Sequence, residues 1–291
     1  MSKRYGIAEW YGEPLESMPP ARRQALAKVA LGEDTAIPRC PFQRGNVVCS
    51  KKGGVCSLQT YRAYLGDHLS DRIGQRAGNP VITCPKRFSQ DDLVPRWLAK
   101  IVGFQQVFLA REVPFMRSPT TGREAGRIDL VLAGSSTASR WFGLEIQAVY
   151  FSGRGMPNDF EVLRRDAGRL PPGPTVVRRP DWRSSSAKRL MPQLQVKVPT
   201  LRRWGTKLAV AVDVPFFKAI GGPSARPNKD LDDGDIIWLV PQVSDAYQLE
   251  PVHWEVLSLE DSSEKLLAAE TIKRSEFEEA LRAKLRPLVR P

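Results

Sequence analysis

Two short apolar runs carry acids in places where acids are costly. Arg127-Ile128-Asp129-Leu130-Val131-Leu132 is followed by a polar turn, and then by Trp141-Phe142-Gly143-Leu144-Glu145-Ile146-Gln147-Ala148-Val149-Tyr150. Both runs are rich in branched and aromatic residues, and Gly134 to Ser139 supplies turn chemistry between them, so the pair reads as a β-hairpin or two adjacent strands. Alternation sets Glu145 and Gln147 on one face of the second strand and Leu144, Ile146 and Ala148 on the other. An acid in such a strand needs a partner. A divalent cation suits, because neighbouring strands lie about 4.8 Å apart and Asp129 and Glu145 can both reach one Mg²⁺. Gln147 can orient a water by hydrogen bonding but carries no charge. Glu112, near the end of the preceding strand, is either a third carboxylate at that metal or a surface partner of Arg111 or Arg123. Read without a metal, the motif is two strands with solvent-facing carboxylates.

A second group of candidate ligands lies upstream. All four cysteines, Cys40, Cys49, Cys56 and Cys84, fall in one short window and none follows. Their spacing is not the C-x₂-C of a zinc finger, but four clustered thiols suit a tetrahedral Cys₄ site, which on chemical grounds would hold zinc. Two disulfides or four free thiols are the alternatives.

The formal charge is +12 at a pI of about 9.8, which favours a polyanionic partner, nucleic acid first. Between Phe151 and Val210 thirteen Lys/Arg face four acids, a local net of +9. Within that stretch Arg183, Lys188, Arg189, Gln193, Arg202 and Arg203 are candidates for phosphate and base contacts on double-stranded DNA, against the plainer reading of a solvated basic face. Histidine is nearly absent, with only His68 and His253, which argues against histidine-based nucleases, zincins and Ser-His-Asp hydrolases. No apolar run approaches the ~20 residues of a membrane span and Met1-Ser2-Lys3-Arg4 does not open a secretory signal, so a cytoplasmic, bacterial protein without a membrane partner is expected.

The elements that must position these groups follow in order. A helix is expected from Ser17 through the prolines to Leu31, closed by Gly32. Ser89-Gln90-Asp91-Asp92 reads as a capping box ahead of Leu93, Trp97, Leu98 and Ile101 at helical spacing. Phe104 to Val113 reads as a strand, Asn158 to Leu170 as a polar helix, and Leu208 to Val214 as a buried strand. Ile236 to Val240 and Val252 to Leu257 add two strands, and Phe216 to Asp235 reads as an exposed loop. Ser275 to Arg286 reads as an amphipathic helix capped by Ser275 and Glu278.

The Asp129…Glu145-x-Gln147 arrangement resembles the core of the PD-(D/E)xK nucleases, with Ile128 where that family often has Pro and Gln147 where it usually has Lys. Taken with Glu9-Trp10-Tyr11-Gly12, Cys40-Pro41-Phe42, Gly54-Val55-Cys56, Cys84-Pro85-Lys86-Arg87-Phe88 and the block from Met191 to Gly205, the chain resembles the NotI-type restriction endonucleases. The resemblance implies an α/β fold with a mixed central sheet flanked by helices, in αβββαβ order, and an N-terminal Cys₄ subdomain. Residues 1–88 would form that region and 89–291 the nuclease core with its DNA-recognition elements. It implies a Mg²⁺-dependent type II restriction endonuclease acting as a homodimer on a palindromic, GC-rich site. The active site would be Asp129, Glu145 and Gln147, with Glu112 as a further member, and the four cysteines would hold a structural iron. The reading from another class is a non-catalytic Cys₄ DNA-binding regulator.

Overall fold

The computed structural model describes residues 4–63, 72–153, 155–267 and 272–286. The chain builds a mixed α/β structure around a six-stranded sheet of order β12-β11-β10-β7-β6-β5. These strands are β5 (Phe108–Arg117), β6 (Glu124–Ala133), β7 (Trp141–Ile146), β10 (Leu208–Ala211), β11 (Ile236–Val243) and β12 (Leu249–Leu257). The central strand β10 is parallel to β7 and β11, and the outer pairs are antiparallel.

Alternation along the strands gives the sheet two buried faces. Leu130, Leu132, Leu144, Ala209, Ala211, Ile237 and Leu239 meet Val94, Leu98 and Ala99 of helix α2 (Leu93–Ile101). On the other face, Leu208, Val210, Ile236, Trp238 and Val240 pack on the helices α5 (Met191–Arg203), α6 (Val214–Ala219) and α7 (Leu259–Leu267). Burial on both faces explains why β10 is a continuous apolar run.

A four-stranded antiparallel sheet of order β2-β1-β3-β4 precedes this core: β1 (Tyr5–Trp10), β2 (Glu13–Pro14), β3 (Val55–Ala63) and β4 (Ile73–Ile82). Helix α1 (Pro20–Leu31) and helix α3 (Pro157–Arg165) join it through a third cluster in which Trp10 stacks on Phe160 at 5.3 Å. A small ribbon, β8 (Phe151–Gly153) with β9 (Arg178–Pro180), leads into α4 (Trp182–Ser185). From α4 the chain continues through a π-helical turn, Ser186–Leu190, into α5.

Several boundaries differ from expectation, each for a visible reason. Helix α1 starts at Pro20, because Pro19 and Pro20 set its first turn and the Ser17 hydroxyl is bonded to the Pro14 carbonyl. The expected capping box before α2 does not form. Residues Pro85–Asp92 make 3₁₀ turns instead, and the Gln90 side chain binds the distant Leu249 N–H and Arg87. Strand β5 runs on through Pro114 to Arg117, which an edge strand tolerates because its outer N–H groups have no ladder to make. Phe104 lies outside it, packed edge-on against Phe142. The expected loop from Phe216 begins with a helix instead, since Phe216 and Phe217 are buried in α6, capped by Asp213. At the start of helix α8 (Arg274–Lys284) the Glu276 carboxylate accepts the Lys273 backbone N–H at 3.3 Å, in place of the expected box of Ser275 with Glu278. The membrane expectation reduces to a plain fact: no helix among the described residues is long and apolar enough to cross a bilayer.

Candidate active site

Strands β5, β6 and β7 carry one acid each at one level of the sheet. The β6–β7 register pairs Leu130 with Leu144, so the next pair along sets Asp129 opposite Glu145. On the other side, Arg111 pairs with Leu130 and Val113 with Ile128, which places Glu112 opposite Asp129. Strand β7 ends at Ile146, and the ladder gives way to side chains there. Asp129 Oδ2 accepts the Ile146 N–H at 2.9 Å, and Glu145 Oε1 accepts the Asp129 N–H at 3.4 Å. Each carboxylate thus replaces a lost carbonyl acceptor, which ties both to the backbone. Glu112 has φ 51, a left-handed conformation that costs a non-glycine residue roughly 1–3 kcal/mol and that collects at functional sites.

These residues border a cleft of about 430 Å³. Glu112, Asp129 and Gln147 line it, with Lys51, Lys86, Arg111 and Arg189 as its cations. Glu145 is buried beside it at 2% exposure. Burial first, and the charge of Asp129 second, push the Glu145 carboxyl up to about 7. Asp129 is also raised, by burial and then by Glu112, while the Ile146 N–H and Lys197 oppose the shift. Raised carboxylates packed together at the edge of a cation-rimmed cleft form a site suited to receive positive charge.

One member of the site escapes sequence reading. Lys197 of α5 is buried, and its Nζ donates to Glu145 Oε1 at 2.6 Å and to Gln193 Oε1 at 3.0 Å. The signal was present: Leu190, Leu194, Lys197, Val198 and Leu201 share the buried helical stripe, and a lysine within such a stripe demands an acid. Gln147 is buried, with its Nε2 bonded to the Ala148 carbonyl at 2.5 Å and its backbone N–H to the Ala211 carbonyl.

The six basic-region candidates divide. Arg189 and Gln193 line the cleft, and Arg189 lies 3.7 Å over the Tyr150 ring. Arg183 and Lys188 are exposed on the preceding turns. Arg202 and Arg203 sit at the far end of α5, where Arg202 grips Asp235 with two bonds of 2.8 and 2.5 Å and Arg203 reaches Thr200. His68 lies outside the described residues.

The four cysteines lie within electrostatic reach of one another. The Cys40 and Cys49 N–H groups bond the Val47 and Pro38 carbonyls, closing one loop, and the Cys84 N–H bonds the Cys56 carbonyl. The thiols of Cys49, Cys56 and Cys84 are raised, each first by burial and then in part by the charge of other cysteines. The loops are locked by the N-terminal strand. Trp10 Nε1 donates to the Gly53 carbonyl at 2.7 Å, and a Cβ at Gly54 (φ +66) would fall 2.2 Å from the Tyr11 ring. Arg87 stacks on Phe42 and binds Glu9, both fully buried. Among the described residues no three His, Cys, Asp or Glu side chains converge at metal-ligand distance, either here or at the carboxylates.

The fold and the site together define a mixed α/β protein whose central sheet carries three acids at one level of adjacent strands beside a cation-rimmed cleft. A family model described as "Restriction endonuclease NotI" matches residues 25–254, and the chain belongs to that family. No curated protein and no solved structure matches.

Proposed function

We propose that the chain is a type II restriction endonuclease of PD-(D/E)xK design, using Mg²⁺ to cut both strands of a palindromic, GC-rich DNA site as a homodimer. Family membership supports site-specific DNA cleavage. The observation that carries the catalytic reading is the row Glu112, Asp129 and Glu145 across three adjacent strands beside a cleft bearing Lys51, Lys86, Arg111 and Arg189. A regulator that only binds DNA gains nothing from raised, mutually repelling acids facing phosphate.

The donor set fits a hard cation, since carboxylate and amide oxygens suit Mg²⁺. Asp129 and Glu145 would hold it, with Glu112 opposite Asp129 on β5 as a neighbouring acid rather than a converging ligand. When bound, Mg²⁺ supplies the Lewis acidity that lets water attack a phosphodiester at neutral pH. The protein's own groups do the positioning. Lys51, Lys86, Arg111 and Arg189 hold the scissile phosphate and its neighbours in the cleft, and Gln147 orients the attacking water by hydrogen bonding. Arg183, Lys188, Arg189, Gln193, Arg202 and Arg203 supply further phosphate and base contacts, and the two-fold symmetry of a dimer matches a palindrome.

Residues 1–88 form the Cys₄ region and 89–291 the nuclease core. Cys40, Cys49, Cys56 and Cys84 would hold a structural Fe or Zn, either of which soft thiolates accept. Asp129→Ala and Glu145→Ala test the reading. Each should abolish Mg²⁺-dependent cutting while retaining DNA binding, and near wild-type cutting by either would overturn it.

A further inference from the structure

Resting on the nuclease reading above, we propose that Lys197 supplies the active-site cation that Gln147 does not. It reaches Glu145 from helix α5 rather than from the strand that bears the acids.

Three observations converge. Position 147, two residues after Glu145, holds an amide whose nitrogen is bonded to the Ala148 carbonyl, so no positive charge stands there. Lys197 lies at 5% exposure with its ammonium 2.6 Å from Glu145, in a stripe otherwise made of leucine and valine. A buried ammonium there is worth keeping only for its charge, because an apolar residue would pack as well without the desolvation cost. Gln193, one turn before Lys197, binds the same ammonium and also lines the cleft, so it joins the lysine to the surface where phosphate would lie.

Lys197 does not itself line the cleft. It is therefore a positioning residue. It holds Glu145 oriented towards Asp129 and adds a fixed positive charge behind the reacting phosphate, where preorganised charge is most effective.

The test moves the charge. Lys197→Gln, the more conservative Lys197→Met, and the exchange variant Gln147→Lys/Lys197→Gln are compared with wild type. The measurements are single-turnover cleavage with Mg²⁺, DNA affinity with Ca²⁺, and thermal melting. Both single variants should cut about a hundredfold more slowly, with affinity changed less than threefold. The exchange variant should recover at least tenfold, because it returns a cation beside Glu145. Purely structural packing by Lys197 predicts the opposite: no recovery on exchange, with rate loss tracking melting temperature. A single variant cutting within threefold of wild type, or an exchange variant that folds and stays as slow as the singles, overturns the assignment. Wild type that cuts no DNA at all would instead overturn the nuclease reading.

Discussion

Replacing Asp129 by Asn should make the metal-free protein more stable and inactive. The amide keeps an oxygen to accept the Ile146 N–H at 2.9 Å, so the local scaffold survives. What disappears is a charge. Glu145 is pushed from an ordinary 4.5 to about 7, with burial the larger cause and Asp129 the next. At about 1.4 kcal/mol per pKa unit, that gap costs the folded state roughly 3 kcal/mol once Glu145 is ionised. Asp129 is the second cause, worth on the order of 1 kcal/mol, or a few degrees in Tm for a domain of this size. The sign follows from linkage. The folded state holds its proton more tightly than the unfolded chain, so stability falls as pH rises from 4.5 to about 7 and then levels. Asp129→Asn should therefore gain about 1 kcal/mol at pH 8, where Glu145 is ionised, and less at pH well below the Glu145 value of about 7, where Glu145 is neutral and no longer repelled. Urea melts in EDTA measure this. Millimolar Mg²⁺ should then stabilise wild type and leave the variant unmoved, since only wild type keeps the acid pair. A variant less stable than wild type in EDTA at pH 8 would refute the reasoning, as would one that still cuts within tenfold.

Four further outcomes follow from other parts of the molecule. Changing Cys40, Cys49, Cys56 or Cys84 to Ser should lose bound metal and lower Tm, with elemental analysis of wild type giving about one Fe or Zn per chain; four freely titrating thiols and no metal would remove the cluster. Glu9→Gln should cost about 3–5 kcal/mol in chemical denaturation, because it leaves the fully buried Arg87 without its counter-charge. Asp213→Asn should cost about 1–3 kcal/mol at pH 5, because an amide nitrogen cannot accept both the Ile82 and Phe216 N–H bonds. The cost should shrink by pH 8, since burial holds Asp213 at about 7 and the wild type loses stability as pH rises from 3.8 to that value, then levels. Alanine at Arg189 should reduce the salt slope of DNA binding by about one unit, with smaller changes at Arg202, whose guanidinium Asp235 already holds.

The hairpin that bears Asp129 and Glu145 is legible in the sequence because its signals are local: period-two alternation, branched residues and a Gly-Ser turn. The buried strand β10 is legible for the same reason, although it hands over to α6 earlier than the apolar run suggests. What the sequence hides are partnerships across long separations. The motif at Ser89 to Asp92 has the letters of a cap, but Gln90 is bonded to Leu249, and Asp91 and Asp92 take left-handed conformations. Lys197 is lost among thirteen basic residues because a charge count cannot tell a solvated lysine from one aimed at Glu145. The acids themselves were visible; their common level on three strands required the register.

The most direct test of the central claim is a digest of plasmid and viral DNA by the purified protein with Mg²⁺, run beside EDTA and beside Asp129→Ala. Discrete fragments whose mapped ends share one palindromic, GC-rich sequence, appearing only with Mg²⁺ and only with intact Asp129, are the predicted result. DNA that is bound yet stays uncut, or that is cut equally well by Asp129→Ala, would contradict the assignment of the carboxylate row as the catalytic centre.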